Sequence, residues 1–240
     1  MSKCYDDQNM KIAFISDIHS NIEAFQAVLK FLETKKINQI YIAGDLIGYY
    51  YYAAEVINLC MSSENIFCIR GNHDRNFLEA VSNEPLMERL TSKYGSAFKK
   101  TRDQLSLSQI NWLRALPSKL TITVSNIKVK VAHGSVDNED TYIYPDASSE
   151  VLSKQILDSD ITVLGNTHHP FIWCKDNKYL LNPGSVGQPR DQSSLASILV
   201  LDTFNRAVIP YKIKCSFKRL KNDIMKFDPD NKYLLKVLER

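Results

Sequence analysis

The sequence is poor in cysteine and contains no long apolar run. Its five cysteines are scattered and odd in number, and none belongs to a C-x-x-C pair, so we interpret them as reduced thiols that mostly fill the core. No apolar run approaches the roughly 18 residues that are needed to cross a bilayer. The opening stretch MSKCYDDQNM carries acids where a signal peptide would have its apolar centre. These absences predict a cytoplasmic protein that makes no membrane contact.

A strong charge bias is also missing. Thirty lysines and arginines against 27 aspartates and glutamates give a net charge of +3. This excess is too small to attract nucleic acid or an anionic surface through the field of the whole protein. An anionic substrate must therefore be held by a local site. The composition leaves the oligomeric state open.

The chain has 240 residues, 44% of them hydrophobic, which is enough to bury a sizeable core, and we predict a single domain over residues 1–240. Short β-rich runs alternate with helical patterns, which predicts an α/β fold with a parallel sheet built from βαβ units. The predicted strands are 11–16, 39–44, 65–71, 119–124, 127–133, 161–165, 171–174, 179–182, 195–202 and 206–213, with a hairpin turn at Ser125 and Asn126. The predicted helices are 20–36, opened by a capping box of Ser20 and Glu23, then 53–61, a broken polar stretch that ends near 115, 148–157 and 217–238.

All five histidines follow the ends of predicted strands. The potential ligands after these strands are Asp17 and His19, then Asp45, then Asn72, His73 and Asp74, then His133, and finally Asn166, His168 and His169. In open α/β sheets, ligands bind outside the carboxyl ends of the strands, so side chains far apart in sequence converge there. A single histidine at a strand end is more often a hydrogen-bonded turn residue than a ligand. The joint pattern nevertheless favours one shared site.

The ordered motifs DIH, GDLIG, GNHD, AHG and GNTH resemble the calcineurin-like metallophosphoesterase superfamily. GNHDR, AHGS and NPGSVGQPR look like its small prokaryotic phosphodiesterase branch. The resemblance covers about residues 11 to 202 and implies a four-layer α/β/β/α sandwich with two divalent metal ions at the carboxyl edge of the sheet. It implies that one ion is held by Asp17, His19, Asp45 and His168, and the other by Asp45, Asn72, His133 and the residue at 166.

Position 166 is where the chain departs from that family. The family usually has histidine there, in the pattern G-H-x-H, whereas this sequence has Asn166. An amide oxygen is a competent ligand for hard or borderline ions, so the second site would be weaker and harder than the first. The alternative is that Asn166 is only a turn residue, since asparagine favours turns for its own reasons.

The resemblance also implies roles in the reaction. Two cations would neutralise the charge of a phosphoester and lower the pKa of a bridging water that attacks it. Imidazole and carboxylate ligands together favour manganese, with iron, zinc or nickel as alternatives. His73 matches the position that protonates or stabilises the leaving oxygen, and Asp74 would orient its ring or serve as a helix N-terminal acid.

Two further features have open interpretations. Arg190 would contact a substrate phosphate or would be an exposed surface arginine. The run of Tyr49 to Tyr52 would stack on a base or, more often for such loops, would pack half-buried.

These observations favour a metal-dependent phosphodiesterase or phosphatase that acts on a small-molecule or nucleotide phosphoester. The alternative is a non-catalytic metal-binding interaction scaffold of the same fold, which the asparagine at position 166 keeps open. A serine/threonine protein phosphatase is disfavoured, because GDLIGYY replaces the expected G-D-x-x-D-R-G. The physiological substrate does not follow from the sequence.

Overall fold

The computed structural model describes residues 10–191 and 195–239, which form two five-stranded sheets with helices on their outer faces. The strands are β1 Lys11–Ile15, β2 Gln39–Ile42, β3 Ile66–Cys68, β4 Lys119–Val124, β5 Ile127–Ala132, β6 Ile161–Val163, β7 Phe171–Lys175, β8 Lys178–Asn182, β9 Ala196–Asp202 and β10 Ala207–Ile213. The helices are α1 Ile22–Thr34, α2 Ala53–Ser62, α3 Asn72–Ala80, α4 Glu84–Tyr94, α5 Ala97–Gln104, α6 Leu107–Ala115, α7 Ser149–Lys154, α8 Lys218–Phe227 and α9 Lys232–Lys236, followed by a 3₁₀ turn over Val237–Glu239.

The first sheet has the strand order β10-β9-β1-β2-β3. Strands β1, β2 and β3 are parallel, as the βαβ pattern predicts. Strands β9 and β10 instead run antiparallel to their neighbours. They are joined by a tight turn rather than by a helix, and such a short connection can only reverse the chain. The predicted βαβ units therefore account for β1 to β3, and the antiparallel edge lies outside that prediction.

The second sheet has the order β4-β5-β6-β8-β7 and is also mixed. The predicted hairpin is confirmed, since β4 and β5 pair antiparallel up to Val124 and Ile127. Its two turn residues, Ser125 and Asn126, both have left-handed backbones, with φ of 47° and 60°. A two-residue turn with both φ values positive matches the right-handed twist of the flanking strands.

Three buried clusters separate four layers. Along β1, Ala13 and Ile15 face the cluster under the first set of helices, and Ile12 and Phe14 face the cluster between the sheets, because successive strand residues point to opposite sides. A smaller third cluster, which includes Leu152 of α7, covers the outer face of the second sheet. The α/β/β/α sandwich is therefore confirmed.

Two predicted helix boundaries are wrong. Helix α1 begins at Ile22, and its cap is Asn21, whose side chain accepts a hydrogen bond from the Ala24 amide at 3.1 Å. Ser20 has a left-handed backbone, with φ of 57°, and it is not the capping residue. The predicted helix 217–238 is divided into α8 and α9, because Pro229 disfavours a helical backbone at the preceding Asp228.

The predictions about cysteines and membrane contact can be compared with the structure only for the described residues. Cys60 and Cys68 are buried and Cys174 is exposed, and all of them are free thiols, whereas Cys4 lies outside the described residues. Within 10–191 and 195–239, no helix combines the length and the apolar composition needed to cross a membrane.

Candidate metal centre

The polar residues that follow β1, β2, β3, β5 and β6 converge at one edge of the sandwich, where the carboxyl ends of these strands meet. The residues brought together are Asp17, His19, Asp45, Asn72, His73, His133, Asn166 and His168, and all of them are buried. Burial of so many polar and ionisable side chains is expensive unless each is paired or binds an ion. The convergence predicted from the sequence is thus observed.

Several of these residues have an unusual backbone. Asp17, His19, Asp45, Asn166 and His168 have left-handed conformations, with φ between 49° and 67°. Non-glycine residues rarely adopt this region, and each instance costs on the order of 1–3 kcal/mol unless the surroundings impose it. Backbone hydrogen bonds between the loops after β1 and β2 hold these residues in the left-handed conformation. One of them joins the His19 N–H to the Asp45 carbonyl at 3.0 Å.

Three imidazoles are oriented by backbone carbonyls. The Nδ1 atom of His133 lies 2.7 Å from the Ala43 carbonyl, that of His168 lies 2.7 Å from the Gln188 carbonyl, and that of His19 lies 3.2 Å from the Ile47 carbonyl. A carbonyl only accepts, so each Nδ1 is the protonated nitrogen. A ring protonated only at Nδ1 presents the lone pair of Nε2 to the centre, which is the arrangement that metal-binding histidines use.

These Nε2 atoms lie close to one another and to carboxylates. The Nε2 atoms of His19 and His168 are 3.1 Å apart, and His168 Nε2 is 3.3 Å from Asp17 Oδ1. Asp45 Oδ2 lies 3.3 Å from His133 Nε2 and 3.7 Å from His19 Nε2. Two lone pairs at such a distance repel unless a proton or a cation lies between them, and nitrogens that share one zinc-like ion at about 2.1 Å are roughly 3.0–3.4 Å apart. The geometry therefore fits a bound cation.

The residues around Asp45 can be divided into two sets by the type of ligand atom that they offer. We call Asp17, His19 and His168 the imidazole half, and their ligand atoms lie within 4.8 Å of one another. We call Asn72, His133 and Asn166 the amide half. Asp45 lies within the same limit of ligand atoms in both halves, with His19 and His73 in one group and with Asp17 and His133 in another.

The amide half is held by the loop between β5 and α7. Asn72 Nδ2 donates to Asp140 Oδ1 at 3.3 Å, and Asn166 Nδ2 donates to the Glu139 carbonyl at 3.2 Å. Arg75 of α3 forms salt bridges with both acidic side chains of this loop. Because both amide nitrogens are used as donors, the amide oxygens are left to accept.

Some buried atoms at the centre have no hydrogen-bond partner among the described residues. They are Asp17 Oδ1, Asn72 Oδ1 and His133 Nε2. Each can donate an electron pair to a metal ion, and a buried polar atom without a partner is costly. The donor set of carboxylate, amide and imidazole therefore fits divalent cations, and it mixes hard and borderline ligands.

The charges at the centre are strongly coupled. Burial opposes ionisation of Asp45, but the neighbouring histidines, His133 first among them, outweigh burial and keep the pKa of Asp45 below its usual value. Burial likewise lowers the pKa of His133, but the Asp45 carboxylate outweighs it and raises that pKa to about 10. A cation that binds His133 Nε2 must displace this proton, because only the deprotonated nitrogen is a ligand.

His73 lies beside the centre in an aromatic enclosure. Its ring centroid is 4.7 Å from that of Tyr94, 4.8 Å from that of Tyr49 and 4.9 Å from that of His19. Gly48, with φ of 101°, permits this approach, since a Cβ there would lie 2.6 Å from His73 Nδ1. Burial lowers the pKa of His73 to about 4, so the ring is neutral at neutral pH.

The expectation that Asp74 orients the ring of His73 is wrong. Both carboxylate oxygens of Asp74 accept hydrogen bonds from backbone amides, those of Leu46, Ile47 and Gly71, at 2.9 to 3.3 Å. His73 Nδ1 is buried without a partner. Asp74 is a helix N-terminal acid of α3 that also fixes the GDLIG loop, which was the alternative interpretation.

Arg190 is half-buried at the edge of the centre rather than exposed on the surface. One guanidinium nitrogen lies 3.4 Å from the Tyr49 hydroxyl and 3.3 Å from Gln188 Oε1, and Nε is buried without a partner. The tyrosines Tyr49 to Tyr52 are buried rather than half-buried. Tyr51 and Tyr52 donate hydrogen bonds to Asp228 and Asp223 of the carboxyl-terminal segment, so these two rings are structural.

Sequence reasoning missed several residues at this edge. These residues are Arg75, which forms salt bridges with the β5–α7 loop, and the tyrosines Tyr94, Tyr142 and Tyr233. Their positions in the sequence follow no periodic pattern that would indicate a site. Tyr233 of α9 lies near Tyr49 and Gln188, which brings the end of the chain to the site. The one available signal was the acidic pair Glu139 and Asp140 soon after the AHG motif.

The fold and the centre define a hydrolase of the metallophosphoesterase class. The chain belongs to the calcineurin-like phosphoesterase superfamily, whose domain model matches residues 10–206. Members of this family depend on metal, and the Asp and His clusters of this chain could hold one. The superfamily predicted from the motifs is thus confirmed, and residues beyond 206, which include α8 and α9, lie outside the match.

The chain is also similar to individual proteins in sequence or in fold. The uncharacterized protein MJ0912 of Methanocaldococcus jannaschii is 30% identical over 231 residues, covering 87% of this chain and 91% of that protein. The crystal structure of a metallophosphoesterase from Sphaerobacter thermophilus has a TM-score of 0.80 and 24% identity, covering 96% of this chain and 98% of that one. A symmetrical bis(5'-nucleosyl)-tetraphosphatase of Buchnera aphidicola is 38% identical over 108 residues, which are 44% of this chain and 38% of that enzyme.

Proposed function

We propose that this protein is a dinuclear metal-dependent phosphodiesterase. The observation that carries the proposal is the set of unpartnered buried donor atoms, Asp17 Oδ1, Asn72 Oδ1 and His133 Nε2, around a central Asp45. A structural polar core would satisfy these atoms internally, and a centre that binds cations would leave them free.

The residues divide between two ions by position. Asp17, His19 and His168 would hold one ion, Asn72, His133 and Asn166 would hold the other, and Asp45 would contact both. When bound, two such cations neutralise the charge of a phosphoester and supply a nucleophilic hydroxide at neutral pH. The mixture of amide, carboxylate and imidazole donors favours manganese over zinc, with iron or nickel as further candidates.

His73 and Arg190 would act on the substrate directly. The neutral imidazole of His73 faces the centre, and an anionic ester next to it favours its charged form, since a nearby negative charge raises the pKa of a histidine. We propose that His73 then donates its proton to the leaving oxygen. Arg190 would bind a non-reacting phosphoryl oxygen, because its guanidinium has a buried Nε without a partner.

The similarity to a bis(5'-nucleosyl)-tetraphosphatase supports phosphoryl chemistry on nucleotides. It covers less than half of either chain, so it supports a reaction class and leaves the substrate to experiment.

A panel of phosphoesters tested with Mn²⁺, Fe²⁺, Zn²⁺ and Ni²⁺ would distinguish a phosphodiesterase from a non-catalytic scaffold. We expect turnover of bis(p-nitrophenyl) phosphate that requires added metal and is highest with Mn²⁺. The scaffold alternative expects metal binding without turnover of any ester. Faster hydrolysis of monoesters than of diesters would contradict the phosphodiesterase assignment while leaving the centre in place.

The role of His73 can be tested with two leaving groups. A general acid matters most when the departing oxygen is a poor leaving group, so His73→Asn should reduce hydrolysis of an alkyl diester far more than that of a p-nitrophenyl diester. An equal reduction for both esters would mean that His73 positions the phosphate and donates no proton.

A further inference from the structure

Two exposed tyrosines project from the loop between β5 and α7. Tyr142 and Tyr144 are 49% and 40% exposed, and their rings are nearly parallel, with an angle of 13° and centroids 6.0 Å apart. The ring of Tyr144 also lies 5.8 Å from that of His169. We call Tyr142, Tyr144 and His169 the aromatic platform. Large aromatic side chains that stay in water offer apolar area which a flat ligand could cover.

Two residues of the aromatic platform lie close in sequence to residues of the metal centre or to their partners. His169 directly follows His168 of the imidazole half. Tyr142 lies two residues after Asp140, which accepts a hydrogen bond from Asn72 of the amide half. The platform is therefore linked to residues of both halves of the centre, through His169 on one side and through Asp140 on the other.

Cationic groups lie near the same centre. Lys93 lies over the ring of Tyr94 at 4.8 Å, and the ring of Tyr94 contacts that of His73. Arg190 lies by Tyr49, whose ring also contacts His73. The surroundings of the centre therefore combine cations for phosphoryl oxygens, metal ligands and flat exposed rings.

We propose that the aromatic platform binds the base of a nucleotide whose phosphodiester is hydrolysed at the metal centre. This inference rests on the proposed function and adds the class of substrate. A base is flat and aromatic and stacks on tyrosine whatever its identity, and the phosphates of a nucleotide match the cations near the centre. A lipid phosphoester would offer no flat ring to stack, so the exposed parallel tyrosines favour a nucleotide.

The test compares two substrates that share one leaving group. Thymidine 5'-(p-nitrophenyl phosphate) carries a base, and methyl p-nitrophenyl phosphate has a methyl group in its place. We expect a higher kcat/KM for the nucleoside ester, and a fall of about 5- to 150-fold in this preference in Tyr142→Ala/Tyr144→Ala, as expected for lost base stacking. The methyl ester should be hydrolysed at an unchanged rate, which also shows that the variant folds and retains its metals.

Two further variants separate stacking from general effects. Tyr142→Phe/Tyr144→Phe keeps the rings and should keep the preference. Phe204→Ala removes an exposed aromatic ring in the β9–β10 turn and should change neither ester, because this turn follows Asp202, which pairs with Lys11 at the end of the sheet remote from the metal centre. An unchanged preference in the double alanine variant would overturn the inference while leaving the proposed phosphodiesterase activity intact.

A binding measurement tests the platform without turnover. Adenosine 5'-monophosphate and ribose 5-phosphate differ only by the base, so calorimetry in the presence of Mn²⁺ measures its contribution. We expect tighter binding of the adenosine compound, and loss of this advantage in Tyr142→Ala/Tyr144→Ala. Equal binding of both compounds to the unmodified protein would refute the platform even if no ester were hydrolysed.

Discussion

In the imidazole half of the centre, two histidines and one aspartate come from the loops after β1 and β6, and backbone carbonyls fix both rings. In the amide half, one histidine is joined by two asparagines, and the two asparagine side chains depend on hydrogen bonds to the β5–α7 loop. Imidazoles are strong donors to transition metals, whereas amide oxygens suit harder ions. Backbone carbonyls thus orient the histidines of both halves, and only the asparagines of the amide half depend on the β5–α7 loop.

The variant with the largest expected effect removes the residue that both halves share. If Asp45 contacts both ions, Asp45→Asn should abolish turnover and remove most of the bound metal, because a neutral amide cannot replace a carboxylate between two cations. His73→Asn is the matched comparison. It should retain the metal and lose about 10²- to 10⁴-fold in rate, as other general acids do. Metal content by elemental analysis would distinguish the two, and an equal loss of metal in both would refute this division of roles.

An intermediate effect on metal affinity is expected when the β5–α7 loop loses its salt bridges to α3. Arg75→Ala removes the salt bridges to Glu139 and Asp140, and it should weaken the amide half alone. The Mn²⁺ concentration for half-maximal activity should rise by about 10-fold or more, as for other changes in groups that orient metal ligands.

Arg102→Ala is the control for this release. Arg102 forms a salt bridge of similar exposure with Glu84, on helices outside the centre, at 2.6 Å. Its loss should leave the metal titration unchanged. The same titration in both variants would show that the loop does not support the centre.

The smallest effect is expected where one half is made to resemble the other. Asn166→His supplies an imidazole to the amide half and should lower, by a few-fold, the metal concentration for half-maximal activity, with better use of Zn²⁺. The gain is limited because the hydrogen bond from Asn166 Nδ2 to the Glu139 carbonyl is lost. An unchanged titration would mean that position 166 does not touch the metal and that Asn166 is a turn residue, for which its φ of 67° is suited.

The structure at position 166 is compatible with both interpretations of Asn166, as a turn residue and as a metal ligand. Its left-handed φ is what a turn asparagine adopts, and its burial among the site residues is what a ligand requires. The sequence could not separate these interpretations, because the same residue type serves both.

Sequence patterns were enough to predict the fold class and the residues that the structure brings together at the centre. Apolar runs that end in Asp17, Asp45, His133 or His168 predict strands with ligands at their carboxyl ends, and parallel strands bring such ends to one edge of a sheet. Residue type and strand period are local properties, so they can be followed along the chain without knowledge of the packing. The prolyl break before α9 was equally visible at Pro229, although we predicted a continuous helix.

The groups that these residues contact could not be predicted from the sequence. His133 is oriented by the Ala43 carbonyl across 90 positions of sequence, and Asp74 binds backbone amides of the GDLIG loop instead of the adjacent His73. The ring of Tyr49 packs against His73, whereas Tyr51 and Tyr52 donate hydrogen bonds to the carboxyl-terminal segment. Hydrogen bonds and ring contacts depend on distances of a few ångströms between segments remote in sequence, and those distances are set only when the two sheets and their loops pack together.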